Sequence, residues 1–148
     1  MKGMSLTDVL AAYGAFLATV LAVWDATRYV LERPRLRVTC YIAEMFAPGV
    51  GRVARNLLAY KVANPGGKPI VVTTVGGEYE KGKAFVLVEP SVELPRTLNP
   101  HDSVIVTGPL PKDIDRIKSF VVHDALGKAW TASVKGVRKQ LAARAESE

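Results

Sequence analysis

One cysteine, Cys40, and two histidines, His101 and His123, are all the thiol and imidazole ligands that this chain of 148 residues contains. A lone thiol closes no disulfide within the chain, and one thiolate with two imidazoles falls short of the four Cys/His ligands of a structural zinc site. A disulfide scaffold and a Cys-rich zinc module are therefore excluded. The chain also lacks a concentrated charge of either sign. Residues 1–38 carry five basic and three acidic side chains, residues 39–134 eleven and nine, and residues 135–148 four and two, so each segment contributes +2 to a total of +6. Neutralising phosphates along a duplex needs a basic stripe, and a diffuse surplus does not supply one, so no nucleic-acid partner is expected. At 49% apolar and 23% charged, the chain holds too much hydrophobic material to be disordered and too little for several membrane spans.

What it does have is one long uncharged run. Val9 to Trp24 reads VLAAYGAFLATVLAVW, sixteen residues bounded by Asp8 and Asp25. As a helix this run is about 24 Å long, a little short of the roughly 30 Å hydrocarbon layer. Its apolar residues go all the way round, along Val9, Tyr13, Phe16, Val20 and Val23 and again along Leu10, Leu17, Leu21 and Trp24. An amphipathic surface helix would keep one polar face. A cleaved signal peptide would need a more basic start and small residues at its end, whereas Trp24-Asp25-Ala26 is a poor cleavage context. The run therefore reads as an uncleaved membrane anchor, with Trp24, Arg28, Tyr29, Arg33, Arg35 and Arg37 at the membrane interface. The excess of arginine after the helix predicts a C-terminal domain on the cytoplasmic side. Gly14, Ala18, Ala22 and Ala26 recur every four residues and line a ridge on which another membrane helix could pack closely, although an alanine-rich helix also produces such spacing by chance.

After Pro34 short runs of Val, Ile, Thr and aromatics alternate with Gly, Pro, Asn and Asp, which is the pattern of strands and turns. Strands are predicted at 36–45, 56–63, 70–75, 84–88, 92–94, 103–107, 117–123 and 129–134. Their spacing of about ten residues, without intervening helices, predicts an antiparallel β-sandwich. Val104 to Val106 and Phe120 to Val122 are its expected centre. Trp130 shares a face with Ala132 and Val134 and is expected to plug the core. Residues 135–148 read as a short basic helix or tail, with Val134, Val137 and Leu141 on one side.

Three phrases in this body carry a resemblance. Tyr60 to Val72 (YKVANPGGKPIVV) ends a strand at Asn, turns through glycines and restarts after Pro. Leu94 to Val104 (LPRTLNPHDSV) and Val121 to Trp130 (VVHDALGKAW) look like the turn before a core strand and the final hairpin. Together they resemble immunoglobulin-like modules found behind a single membrane helix in small uncharacterised bacterial proteins. In the second phrase His101 stands where such modules usually have Gly. The resemblance implies a fold and a role in adhesion, assembly or recognition, and it carries over no catalytic residue.

Every candidate for chemistry has a simpler structural reading. Gly49-Val50-Gly51-Arg52-Val53-Ala54 matches the dinucleotide fingerprint G-x-G-x-x-A, but Leu58, Tyr60 and Val62 alternate behind it as a strand does, and Glu78 follows too late to bind a ribose. A hairpin loop fits better. His101-Asp102 and His123-Asp124 are similar to the His-Asp pairs of metal-dependent phosphohydrolases, yet the chain has no further histidine for a metal, and both pairs lie among turn residues. Glu78 and Glu80 flank Tyr79 at a strand end too exposed for paired-carboxylate catalysis.

The sequence thus predicts a mainly β chain in three parts. Residues 1–35 form a membrane-anchor helix, 36–134 an immunoglobulin-like sandwich and 135–148 a C-terminal helix. The expected function is a non-catalytic, single-pass, membrane-anchored binding or assembly module, such as an accessory subunit of a larger membrane complex. Its partners would be membrane-embedded protein and the lipid bilayer, with no cofactor, no metal and no small-molecule substrate. The rival is a soluble structural subunit of a phage or other shell, whose helix packs in a bundle along Val9, Tyr13, Phe16, Val20, Val23, Thr27 and Val30. The strand at 36–45 carries only Arg37 and Glu44 as charges and would offer an apolar pairing edge if it lies at the side of its sheet.

Overall fold

A computed structural model describes residues 5–146. The chain divides into two compact units, one ending at Arg33 and the other beginning at Pro34.

The first unit is a single helix, α1 (Leu6–Leu31). It starts at Ser5 because Ser5 and Asp8 cap each other. The Ser5 Oγ accepts from the Asp8 N–H at 3.2 Å, and the Asp8 carboxylate accepts from the Ser5 N–H at 3.0 Å. It ends at Glu32, whose N–H still reaches the Arg28 carbonyl. No residue of α1 is buried.

The second unit is a sandwich of two antiparallel sheets closed by a helix. Its strands are β1 (Arg37–Ala47), β2 (Gly51–Ala63), β3 (Ile70–Tyr79), β4 (Ala84–Val86), β5 (Arg96–Leu98), β6 (Ser103–Pro109), β7 (Ile117–Asp124) and β8 (Ala129–Ser133), followed by α2 (Lys135–Ala145). One sheet has the order β1-β2-β6. The other has the order β4-β3-β7-β8, with β5 beside β4 along the same edge of β3. Inward-facing residues of both sheets form the core, including Leu58, Tyr60, Val62 and Val106 from the first sheet and Val72, Val75, Phe120 and Val122 from the second.

Tyr60 and Phe120 occupy the centre. Their rings meet edge to face at 5.5 Å, and the Tyr60 hydroxyl donates to the Gly76 carbonyl at 2.9 Å, tying one sheet to the other. This corrects the role expected of Trp130. Ala132 and Val134 on its face are buried as predicted, but Trp130 itself is only half-buried, because β8 is the outermost strand of its sheet. A large ring there covers the rim of the core and does not fill its middle.

The segment 92–94 forms no strand, and the strand of this region is Arg96–Leu98. Pro90 and Pro95 bracket the segment, and neither has an N–H with which a ladder could continue on either side of it. Residues 87–95 instead cross the side of the sandwich. Leu87 N–H donates to Val75 of β3, Ser91 exchanges two hydrogen bonds with Thr107 of β6, and β5 then returns to β3. Val92 and Leu94 still face the core, so their apolar signal was real although the strand was not.

β1 and β2 are longer than predicted and form a hairpin that outruns its neighbours. The pairing runs from Arg37 opposite Ala63 to Ala47 opposite Gly51, while β6 accompanies β2 only over Leu57–Ala63. Beyond that point the hairpin is a two-stranded ribbon. Pro48, Gly49 and Val50 turn it, with Gly49 at φ 78° and Gly51 at φ 84°, a left-handed backbone that glycine adopts freely. The ribbon is kinked where Asn56 adopts φ 54° and the register shifts between Ala43 and Met45.

Candidate functional site

Two surfaces remain once the core is accounted for: the helix of the first unit and the loops and edges of the second.

The threonine in the uncharged run of α1, Thr19, and the one near its C-terminal end, Thr27, are both satisfied within the helix. Thr19 Oγ1 donates to the Ala15 carbonyl at 2.9 Å and Thr27 Oγ1 to the Val23 carbonyl at 2.8 Å. Neither therefore needs water, which suits a helix in hydrocarbon. The helix is long and apolar enough to cross a membrane by length and composition. Gly14, Ala18, Ala22 and Ala26 all lie on its exposed surface, and a Cβ added at Gly14 would meet nothing. At the C-terminal end Trp24 and Tyr29 are exposed, Arg28 Nε lies 2.6 Å from the Glu32 carboxylate, and the Arg33 guanidinium stacks over the Tyr29 ring at 5.1 Å. Arg35 and Arg37 are exposed beyond the helix.

In the sandwich, the residues considered for chemistry do not come together. Cys40 is buried in the core, and burial pushes its thiol up to about 12, so at neutral pH it is an inert thiol and no nucleophile. His123 lies half-buried on β7, its Nδ1 3.2 Å from Thr74 Oγ1. Its neighbour Asp124 points the other way and organises the β7–β8 turn. One Asp124 oxygen accepts from the Leu126 and Lys128 N–H groups at 3.0 and 2.9 Å, and the other accepts from the Trp130 indole N–H at 3.0 Å. Burial raises the Asp124 carboxyl, but the indole, the two backbone donors and the Lys128 charge outweigh it and hold the group below the usual carboxylate range. Lys128 Nζ also sits 4.0 Å above the Trp130 ring.

His101 performs a backbone task. It adopts φ 67°, and its N–H donates to the Asn64 carbonyl, while the Asp102 N–H donates to Asn99. The fully buried Asn64 staples the same corner, its amide donating to the Lys68 and Leu98 carbonyls and its oxygen accepting from Gly66. Gly49 to Ala54 is the hairpin loop and the start of β2, with no helix for a phosphate to sit on. Glu78 pairs at long range with the exposed Lys118 side chain, 3.9 Å away on β7. Among the described residues no group of three or more His, Cys, Asp or Glu side chains is placed to hold a metal.

Sequence reasoning missed two features. An open recess of about 520 Å³ is lined by Tyr79, Glu80, Lys81, Lys83, Asp113 and Arg116, charges of both signs on turns. The second is the apolar end of the β1–β2 ribbon, where Met45, Phe46, Val50 and Val53 are all exposed. Its signal was the uncharged stretch Met45 to Gly51.

No protein-family model and no curated protein matches the chain. Among solved structures it is similar to the archaeal flagellum of Methanospirillum hungatei strain JF1, at 17% identity over 86% of this chain and 84% of that one, with a TM-score of 0.44. It is also similar to a Northeast Structural Genomics Consortium target, at 17% identity over 68% of this chain and 80% of that one, with a TM-score of 0.31. Likenesses this distant say nothing about what the chain does.

Proposed function

We propose that this chain is a single-pass membrane protein whose sandwich is a non-catalytic binding or assembly module. The observation that carries the reading is α1 itself, a 26-residue helix with apolar side chains on every face, satisfied hydroxyls at Thr19 and Thr27 and no buried residue. Exposed Leu, Phe and Trp side chains on this scale are costly in water, at about 25 cal/mol for each Å². A bilayer removes that cost around the whole circumference, which no single protein groove does.

In this reading Trp24, Arg28, Tyr29, Arg33, Arg35 and Arg37 lie at the membrane interface and hold the sandwich on the cytoplasmic side. The small-residue ridge Gly14, Ala18, Ala22, Ala26 faces a partner helix in the bilayer, which makes the chain an accessory subunit of a larger membrane assembly. Fractionation tests the anchor, and a reporter fused after Glu148 tests the orientation. The protein is expected with the membranes after an alkaline carbonate wash, and the reporter is expected to behave as cytoplasmic. Recovery of the full chain in plain buffer as concentration-dependent oligomers would instead favour a soluble structural subunit, with α1 bundled along Val9, Tyr13, Phe16, Val20, Val23, Thr27 and Val30.

A further inference from the structure

The geometry points to a second lipid contact, the tip of the β1–β2 hairpin, inserted into the headgroup and acyl boundary of a bilayer. The inference rests on the membrane reading above but uses different residues. From Met45 to Gly51 the chain reads MFAPGVG, without a charge, and the ribbon that carries it projects past β6. Phe46 is 63% exposed and Val50 77%, with Met45 and Val53 exposed beside them. The register shifts again between Met45, opposite Ala54, and Phe46, opposite Arg52, but the extra residue, Val53, is on β2, so along β1 Met45 and Phe46 still leave opposite faces of the ribbon, and Val50 sits at the turn. A protein groove covers one face of such a ribbon and leaves the other in water. A bilayer surrounds the tip, so apolar residues on both faces suit lipid for the same reason as apolar residues all round α1.

The polar groups next to the tip fit that placement. The Arg52 guanidinium lies over the Phe46 ring at 5.6 Å, with its Nε 3.2 Å from Glu44 Oε2. Glu44 is also held by Arg144 at 3.3 Å, which braces the ribbon against α2. An arginine on an aromatic ring can lay its stem along the acyl boundary and keep its charge among headgroups.

The test uses the full chain in phosphatidylcholine/phosphatidylglycerol vesicles, with an environment-sensitive fluorophore on single introduced cysteines. The buried Cys40 stays unlabelled, and the unsubstituted chain provides that control. Val50→Cys reports the tip and Leu17→Cys the anchor. Val88→Cys reports an isolated apolar residue that is 91% exposed in the connection after β4. The expected result is a blue-shifted emission at position 50 that is lost when lipids with acyl-chain nitroxides are included, with position 88 remaining water-like. Phe46→Asp in the Val50→Cys chain should abolish both the shift and the quenching. A water-like probe at 50 alongside a quenched probe at 17 overturns the tip contact and leaves the anchor standing. A blue shift at 50 without quenching overturns it too, because a protein surface would then cover the tip. Equal quenching at 50 and 88 overturns it by showing that the contact is not specific to the tip. An unquenched probe at 17 overturns the membrane reading itself.

Discussion

Replacing Tyr60 by Phe removes one oxygen from the centre of the sandwich and nothing else. Tyr60 is fully buried, its hydroxyl donates to the Gly76 carbonyl across the two sheets, and its ring packs edge to face on Phe120. A buried neutral hydrogen bond contributes about 0.5–1.5 kcal/mol, and a carbonyl left short of a partner adds to the loss, so Tyr60→Phe should cost about 1–2 kcal/mol. Tyr60→Ala also loses the ring and opens a cavity, and should cost about 3–5 kcal/mol. Denaturant unfolding of the full chain in detergent reads both values, followed by Trp130 emission in a Trp24→Phe background. The same buried hydroxyl makes a second, independent readout. Burial first, and the nearby Cys40 second, raise the Tyr60 pKa far above the ordinary 10.0. A raised folded value means that the un-ionised hydroxyl stabilises the fold fully below pH about 10 and that this contribution falls as the pH climbs past it. Tyr60 should therefore ionise well above the ordinary tyrosine range in an alkaline absorbance titration of the folded protein, and Tyr60→Phe should remove that late step. A Tyr60→Phe chain as stable as the parent, whose titration is missing an early-ionising tyrosine, would refute the assignment of this residue to the core.

The corners of the same unit are open to the same unfolding assay. Asp124→Ala strands the Trp130 indole and two turn N–H groups and should lower stability by about 2–3 kcal/mol. Because the folded carboxyl is held below its ordinary value, the parent's advantage over this variant should be complete at neutral pH and shrink as the pH falls below about 4. His101→Gly relieves a left-handed backbone at φ 67° and should raise stability by about 0.5–1 kcal/mol, whereas His101→Val should lower it, both read as shifts in the denaturation midpoint. Gln140→Ala removes the side-chain oxygen that accepts from the Ile42 N–H at 2.8 Å; it should cost about 1 kcal/mol and speed amide exchange at Ile42.

The sandwich was legible because its strands alternate and its turns are written in Gly, Pro, Asn and Asp. Gly49 and Gly51 could be separated from a nucleotide loop by the alternation of Leu58, Tyr60 and Val62 behind them, and the hairpin is there. His101 could be marked as standing in for a glycine, and its positive φ gives the physical reason. What alternation does not carry is position across a sheet. Trp130 has a correct face, but its burial depends on β8 being outermost, and that is a fact about β7 and β1 rather than about residues 129–134. The centre fell to Tyr60 because β2 lies between two partners and its hydroxyl finds a carbonyl on the opposite sheet. In the same way Val92 to Leu94 reads as a strand by composition, and only the crossing to Thr107 shows why the backbone leaves the ladder. The helix α1 was the most legible feature, since a run apolar on every face needs no tertiary information to stand out.

β1 lies at the edge of its sheet, the condition on which its apolar pairing surface depended, and the chemistry of that edge narrows how this unit can associate. Among the described residues no strand pairs with β1 on the side away from β2. The Ile42 N–H donates away from β2 to Gln140, so by the two-residue alternation the backbone N–H groups of Cys40 and Val38 also point away from β2, while those of Thr39 and Tyr41 point to it. A proline at Thr39 would therefore break the ladder opposite Lys61, and a proline at Val38 is the substitution that changes the edge alone. α2 covers the far part of this edge through Gln140 and through Arg144, which reaches Glu44 and Asn56. The opposite edge of the sheet, β6, is occupied at Thr107 by Ser91. In the second sheet the edge strands β4, β5 and β8 run only three, three and five residues. Short or covered edges are poor templates for strand addition. The large apolar surfaces that remain open among the described residues are α1, apolar on every face, and the tip of the β1–β2 ribbon, whose Met45, Phe46, Val50 and Val53 are exposed beside the Arg52–Glu44 pair, and a side-chain surface of this kind suits a bilayer better than an added strand.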